Sequence, residues 1–482
     1  MRFRFDVFSM YLTLHNQASH RKPLLFGFAA LGSLSSICFF LLPSSSPIWP
    51  ISSLFAILAN IGFGASIVVL NAYLPRLAVS SLPFSDHGDT EKLSRATARI
   101  SSLGIALGYT AGILLLLVTV LPVQRAGGST DALRFAIGGS GVWWALFSLP
   151  ALWLLPGASG FKEAQNTDVT EEREGLLTST SEPTSEAAPV VAPEWNVRRE
   201  VVDAWRRLGN MLRWENIRRL RNTFRYLAAW FLLSDGIQPS LPSAPAFLRF
   251  FFSGFTTLTS TALLFAKTTL HMPPSSLILV GVLTPSAGIL GALLWPILQR
   301  RLSLTSLRVL IILVVAASVI PLYGVIGLFA PRGAQWGLRV PAEMFVLAVY
   351  FGALYGAFQS YARALYAEII PPGEEARWYG LFSITDKVCV FFARPYGRVS
   401  CRLIGILQQS SSFIGPLVVG LVADLTGNIR YAFLFLVFML WAALPVLAGV
   451  DVERGRADAQ AWSSCGNEEH EVEVDTVVDR DR

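Results

Sequence analysis

Leu307 to Ala330 reads LRVLIILVVAASVIPLYGVIGLFA, and beyond Arg308 it runs for 22 consecutive residues without a charge. About 20 apolar residues in a helix reach across the hydrocarbon core of a bilayer, whereas the same run as a strand would overshoot it more than twofold. In lipid every backbone amide must find its partner within the protein, so a spanning helix is the expected form. Comparable runs lie on both sides: Leu24 to Leu42, Ile51 to Tyr73, Ser101 to Leu121, Phe135 to Leu155, Leu277 to Leu298, Ala342 to Tyr366 and Tyr431 to Gly449. With the first they make eight clear spans. The whole chain agrees: 53% of its 482 residues are hydrophobic and 15% charged, and a mean hydropathy of +0.50 excludes a water-soluble enzyme.

Two further apolar regions are irregular. One starts at Tyr226, is broken by Pro239, Pro242 and Pro245, and resumes at Phe255; the other starts at Leu381 and is broken by an arginine-containing stretch before Ser410. Counting each as one crossing puts the basic loops (Arg21 and Lys22; Lys92, Arg95 and Arg99; Arg300, Arg301 and Arg308) on one side, which the positive-inside rule makes cytoplasmic. The central loop and the C-terminus then share that side. The expected fold is an all-α integral membrane protein with about ten helices, four before a long loop and six after it.

The loop divides in two. Residues 156–193 hold seven acids, repeated Ser and Thr, and Pro183, Pro189 and Pro193, with nothing periodic to bury, and read as disordered linker. Within it Glu172, Leu176 and Leu177 form an acidic-dileucine pattern that a sorting adaptor can read. From Glu194 to Arg221 eight arginines face four acids, with Val201, Trp205, Leu208 and Leu212 at helical spacing. That fits either an amphipathic helix on the anionic inner leaflet or a basic extension of the next span. The expected divisions are 1–22, a vestigial helix and basic turn; 23–155, a first half; 156–222, the loop; 223–450, a second half; and 451–482, an acidic disordered tail with ten acids and four arginines.

A polar or ionisable side chain inside a membrane is costly and marks a functional candidate. Asp235 falls at the middle of a 22-residue span if Tyr226–Gly236 is joined to Phe255–Phe265. It is a candidate for proton or solute-amine contact, or else is satisfied by Ser234 and Thr257. Tyr355, Gln359 and Arg363 recur every four residues and form a polar stripe on one helix face, suited to lining a water-filled cavity or to hydrogen bonding within the bundle. Asn60 and Asn71 are further substrate or coupling candidates. Asp386 and Lys387 fit a salt-bridged gate or a cytoplasmic helix end. Gly104, Gly108 and Gly112, and Gly352 with Gly356, are small-residue runs that allow close helix packing. No metal-ligand cluster, cofactor motif, nucleic-acid motif, HExxH helix or nucleophile elbow is present, so no enzyme is expected.

Ser94 to Gly112, Asn71-Ala72-Tyr73-Leu74-Pro75, Trp230 to Gly236, and Glu368 to Ala376 followed by Tyr379-Gly380-Leu381 resemble the autophagy-related protein 22 family. These are vacuolar amino-acid effluxers of the major facilitator superfamily. The resemblance implies a multi-pass protein of the vacuole membrane that exports amino acids released by autophagic degradation, by alternating access, with amino acids as solute, the bilayer as surroundings and protons as a possible coupling partner. It also implies twelve helices, of which the first is absent here and the second vestigial. A transport-inactive scaffold or receptor related to the same family is the alternative.

The family runs continuously through both irregular regions, which here are interrupted by Ile237–Gly254 and Val388–Gln409. Both stretches can be encoded with intron-like borders. Excising the second joins Leu381–Lys387 to Ser410–Ala423 as 21 residues, again one span. A genuine re-entrant loop, tolerated at membrane depth only when buried or water-lined, is the rival.

Overall fold

The computed structural model describes residues 21–42, 49–86, 88–125, 129–155, 206, 209–233, 255–329, 331, 336–387 and 414–464. Among them there is no strand. The helices are α1 (Arg21–Ile37, ending in a 3-10 turn Cys38–Leu41), α2 (Trp49–Ala72), α3 (Leu74–Ser80), α4 (Thr90–Arg125), α5 (Thr130–Leu154), α6 (Trp214–Arg219), α7 (Arg221–Leu233), α8 (Phe255–Thr268), α9 (Pro274–Arg301), α10 (Ser306–Phe329), α11 (Pro341–Glu368), α12 (Glu375–Lys387), α13 (Ile414–Thr426) and α14 (Tyr431–Ala448); α15 covers residues 452–464. Eight of the described helical segments are long and apolar enough to cross a membrane. They are the eight clear runs of the sequence.

α7 ends at Leu233 and α8 begins at Phe255; α12 ends at Lys387 and α13 begins at Ile414. Ile237–Gly254 and Val388–Gln409 lie outside the described residues, as do Asp235, the vestigial first segment, the linker and its dileucine pattern.

Two compact units emerge: residues 1–71 with 118–216, and residues 72–117 with 217–482. The second unit thus draws on both halves of the sequence, since α3 and most of α4 cluster with the helices that follow the central loop. In the first unit α1 packs antiparallel on α5. Gly32 lies against the Trp144 indole and Gly141 against the Ser33 carbonyl, so closely that a methyl on either would collide. Lys22 Nζ donates to the Leu155 carbonyl at 2.9 Å, fastening the start of α1 to the end of α5.

The second unit is built on the α9–α11 seam. A methyl on Gly291 would fall 1.9 Å from the Ala353 carbonyl, one on Gly352 2.1 Å from that of Thr284, and one on Gly356 2.2 Å from that of Gly288. In lipid, helices gain little by hiding apolar surface from each other, so backbone-to-backbone contact through small residues is what drives association. Gly352 and Gly356 make that contact. Gly104, Gly108 and Gly112 do not, since a methyl built on any of them meets no described atom within 4 Å; the same spacing there has no packing partner among the described residues. An aromatic stack fills the space behind α11: Trp230 on Phe382 at 4.5 Å and Tyr366 on Phe382 at 4.8 Å.

Two loop expectations also change. The basic segment before α7 is not one helix, since the chain turns at Leu212 and Arg213 and again at buried Leu220. In the tail read as disordered from residue 451, residues 452–464 form α15, and the remainder lies outside the described residues. Asp451 Oδ1 accepts from Arg454 N at 3.1 Å, an N-cap, and glycine at 455 lets α15 lie against Asn222 and Ile369.

Candidate functional site

Between Leu354 and Leu365 every residue of α11 is buried except Tyr355, Gln359 and Arg363. The helical period sets these three on one face, and packing covers the rest. Gln359 Nε2 donates to the Tyr355 hydroxyl at 2.8 Å, and Arg363 Nε to the Gln359 carbonyl at 3.3 Å. Phe351 stacks on Tyr355 at 5.3 Å and extends the face by one turn. The stripe is thus pre-ordered by its own bonds.

Two tyrosines that the sequence reading did not single out join it. Tyr109 of α4 lies with its ring edge against Gly288, at 2.7 Å from where a methyl would be, and within electrostatic reach of Tyr355 and Arg363. Tyr379 of α12 is fully buried and donates its hydroxyl to the Arg363 carbonyl at 3.0 Å. Ser101, two turns before Tyr109, donates to the Ser360 carbonyl at 2.8 Å and fastens α4 to α11. The cluster therefore draws on α4 from the first half of the sequence and on α11 and α12 from the second. Both tyrosines sit inside the quoted family segments, but only the fold shows that they meet Arg363.

Of the other candidates, Asp235 lies outside the described residues. Asn60, in the first unit, is exposed and turns its amide back onto the Ala56 carbonyl at 2.8 Å. Asn71 ends the first unit on α2. Asp386 and Lys387 close α12, and their side chains lie outside the described residues. Among the described residues no group of His, Cys, Asp or Glu is arranged to hold a metal.

A second polar cluster sits at the N-terminal end of α11. Glu343 accepts from Tyr323 Oη at 2.6 Å and from Arg339 N at 2.7 Å. Arg430 is buried and donates to the Gly337 and Leu338 carbonyls at 2.6 and 2.9 Å, its guanidinium over the Phe265 ring at 5.1 Å. Burial first, and the neighbouring Arg339 second, pull its pKa below the usual guanidinium value. Gly337 and Leu338 both have positive φ, 87° and 59°, and this turn presents their carbonyls to Arg430.

A family model described as "Vacuole effluxer Atg22 like" matches residues 13–395 and 402–460. The chain belongs to that family. The matched ranges include Ile237–Gly254 and all of Val388–Gln409 except residues 396–401. Among curated relatives, autophagy-related protein 22 of Cryptococcus neoformans var. neoformans serotype D (strain B-3501A) is 34% identical over 528 residues, covering 93% of this chain and 83% of its own. Autophagy-related protein 22-1 of Neosartorya fischeri is 31% identical over 509 residues, covering 93% and 72%. Among solved structures, the proton:xylose symporter XylE of the major facilitator superfamily, bound to 6-bromo-6-deoxy-D-glucose, superposes with a TM-score of 0.55 at 13% identity, covering 92% of this chain and 83% of that one. The fold is that of the major facilitator superfamily, and this Atg22-family member is a multi-pass vacuolar transporter.

Proposed function

We propose that this chain exports amino acids from the vacuole lumen by alternating access, with the α11 stripe lining the solute path. The observation that carries the reading is that Tyr355, Gln359 and Arg363 alone keep partial exposure along an otherwise packed stretch of α11. A guanidinium forks onto a carboxylate, and in a low-dielectric site such a charge-assisted pair outweighs its aqueous counterpart. The Tyr355 hydroxyl and Gln359 amide supply further polar partners along the same face. Tyr109 gives the first half of the sequence a share in the same cluster, as a site that opens alternately between halves requires. Asp235 is proposed as the coupling carboxylate and the Asp386–Lys387 pair as a gate.

The test is efflux of radiolabelled amino acids from vacuolar vesicles. Arg363→Ala is expected to lower flux at least about tenfold, the loss of one charge-assisted contact, with Arg363→Lys intermediate because a lysine lacks the fork. Asp235→Asn is expected to flatten the pH dependence of flux. Unchanged flux in Arg363→Ala removes the stripe from the solute path; no flux from the parent chain, nor from one lacking residues 237–254 and 388–409, favours the scaffold.

A further inference from the structure

The C-terminal end of α11 carries a polar cluster that the solute path does not use. Glu368 has a side chain only 6% exposed. Its Oε1 accepts from Ser94 Oγ of α4 at 2.6 Å, and its Oε2 is paired with the Arg456 guanidinium of α15. Ser94 has one proton and gives it to Glu368, so in its 2.9 Å contact with Ser306 of α10 Ser306 is the donor. Four helices thus converge on one carboxylate. Beside them Arg76 of α3 lies 4.0 Å from Glu375 of α12.

The partners differ in where they are anchored. α15 is held by the second half of the sequence: Asp451 N donates to Asn222 Oδ1 at 3.2 Å, Arg225 Nη1 donates to the Gly449 carbonyl at 2.8 Å, and Gly455 packs on Ile369. Arg456 and Glu368 therefore move together. Ser94 belongs to α4, from the first half, so opening a passage between the halves at this end must break the Ser94–Glu368 bond and leave the Arg456–Glu368 pair intact. A buried carboxylate without a counter-charge protonates or turns toward water; the first change strips the charge from the bond that Oε1 accepts from Ser94 and the second breaks it.

We propose that α15 is a latch on the closed state of this face. Arg456 is a positioning residue that holds the Glu368 carboxylate aimed at Ser94, and the C-terminal helix thereby sets how often the α4–α11 seam opens. This rests on the alternating-access reading above.

The experiment reads seam opening directly. In a full-length chain whose four cysteines are replaced by alanine, Ser101→Cys places a thiol in the seam, where Ser101 is buried against the Ser360 carbonyl. A membrane-impermeant maleimide is applied from the face that carries the C-terminus, with and without an amino-acid gradient. Arg456→Ala is expected to speed labelling about tenfold, as the loss of one buried charge-assisted bond would, and Arg456→Lys to restore most of the protection. If Arg456→Ala fails to reach the membrane, Arg456→Gln, which keeps chain length and loses charge, is read the same way. Labelling that responds to the gradient and to Ser94→Ala but not to Arg456 substitution overturns the latch and leaves alternating access standing. A thiol that stays unreactive in every variant and gradient overturns both.

Discussion

The two ends of α11 are held by different kinds of network. At the Pro341 end, Glu343 binds Tyr323 and Arg339 while Arg430 binds the Gly337–Leu338 turn, and each of these partners comes from the second half of the sequence. At the Glu368 end, Ser94 and Ser101 from the first half bond to Glu368 and the Ser360 carbonyl. A cluster whose members all lie in one half can stay whole while the halves move. A cluster shared between halves must break for its face to open. One end of α11 is therefore built as a brace and the other as a releasable closure.

Arg430→Ala should have the largest effect on this contrast. It strands two carbonyls and a buried cation site, and should lower the stability of the detergent-purified protein by about 3 kcal/mol, seen as a reduced Tm, with Ser101→Cys labelling unchanged. A large labelling change would merge the two ends into one network and erase the distinction. Tyr323→Phe removes one neutral donor to a carboxylate, and should cost about 1 to 2 kcal/mol in the same thermal assay, again without altering the seam. The smallest effect is expected at Asp89, which caps α4 by accepting from Glu91 N and Lys92 N at 3.0 and 3.2 Å. The Lys92 amide, first among several partners, holds its pKa below the ordinary carboxylate value. The cap is therefore intact above that ordinary value and weakens only as pH falls through the lowered one. Hydrogen exchange in the first turn of α4 should rise there in the parent, and should show no such acid step in Asp89→Ala.

The candidate site was half legible in the chain. Tyr355, Gln359 and Arg363 stood out because a helix repeats every 3.6 residues and polar side chains on an apolar span are rare. Tyr109 and Tyr379 did not, because an aromatic residue in an apolar segment looks like ordinary packing until its neighbours are known. Two runs with the same glycine spacing also parted: Gly352 and Gly356 meet α9 backbone, while Gly104, Gly108 and Gly112 meet no described atom. Spacing states what a helix face can do, not which helix comes to it.

By itself the sequence determined that this protein lives in lipid and which eight segments are long and apolar enough to cross it. Those are properties of single segments, set by the cost of placing backbone and charge in hydrocarbon. Only the tertiary structure decided that α4 comes against α11, that part of the acidic tail becomes a helix, and that Arg456, Glu368 and Ser94 meet. Each of these is a contact between residues far apart in the chain, and its energy exists only once both partners are in place.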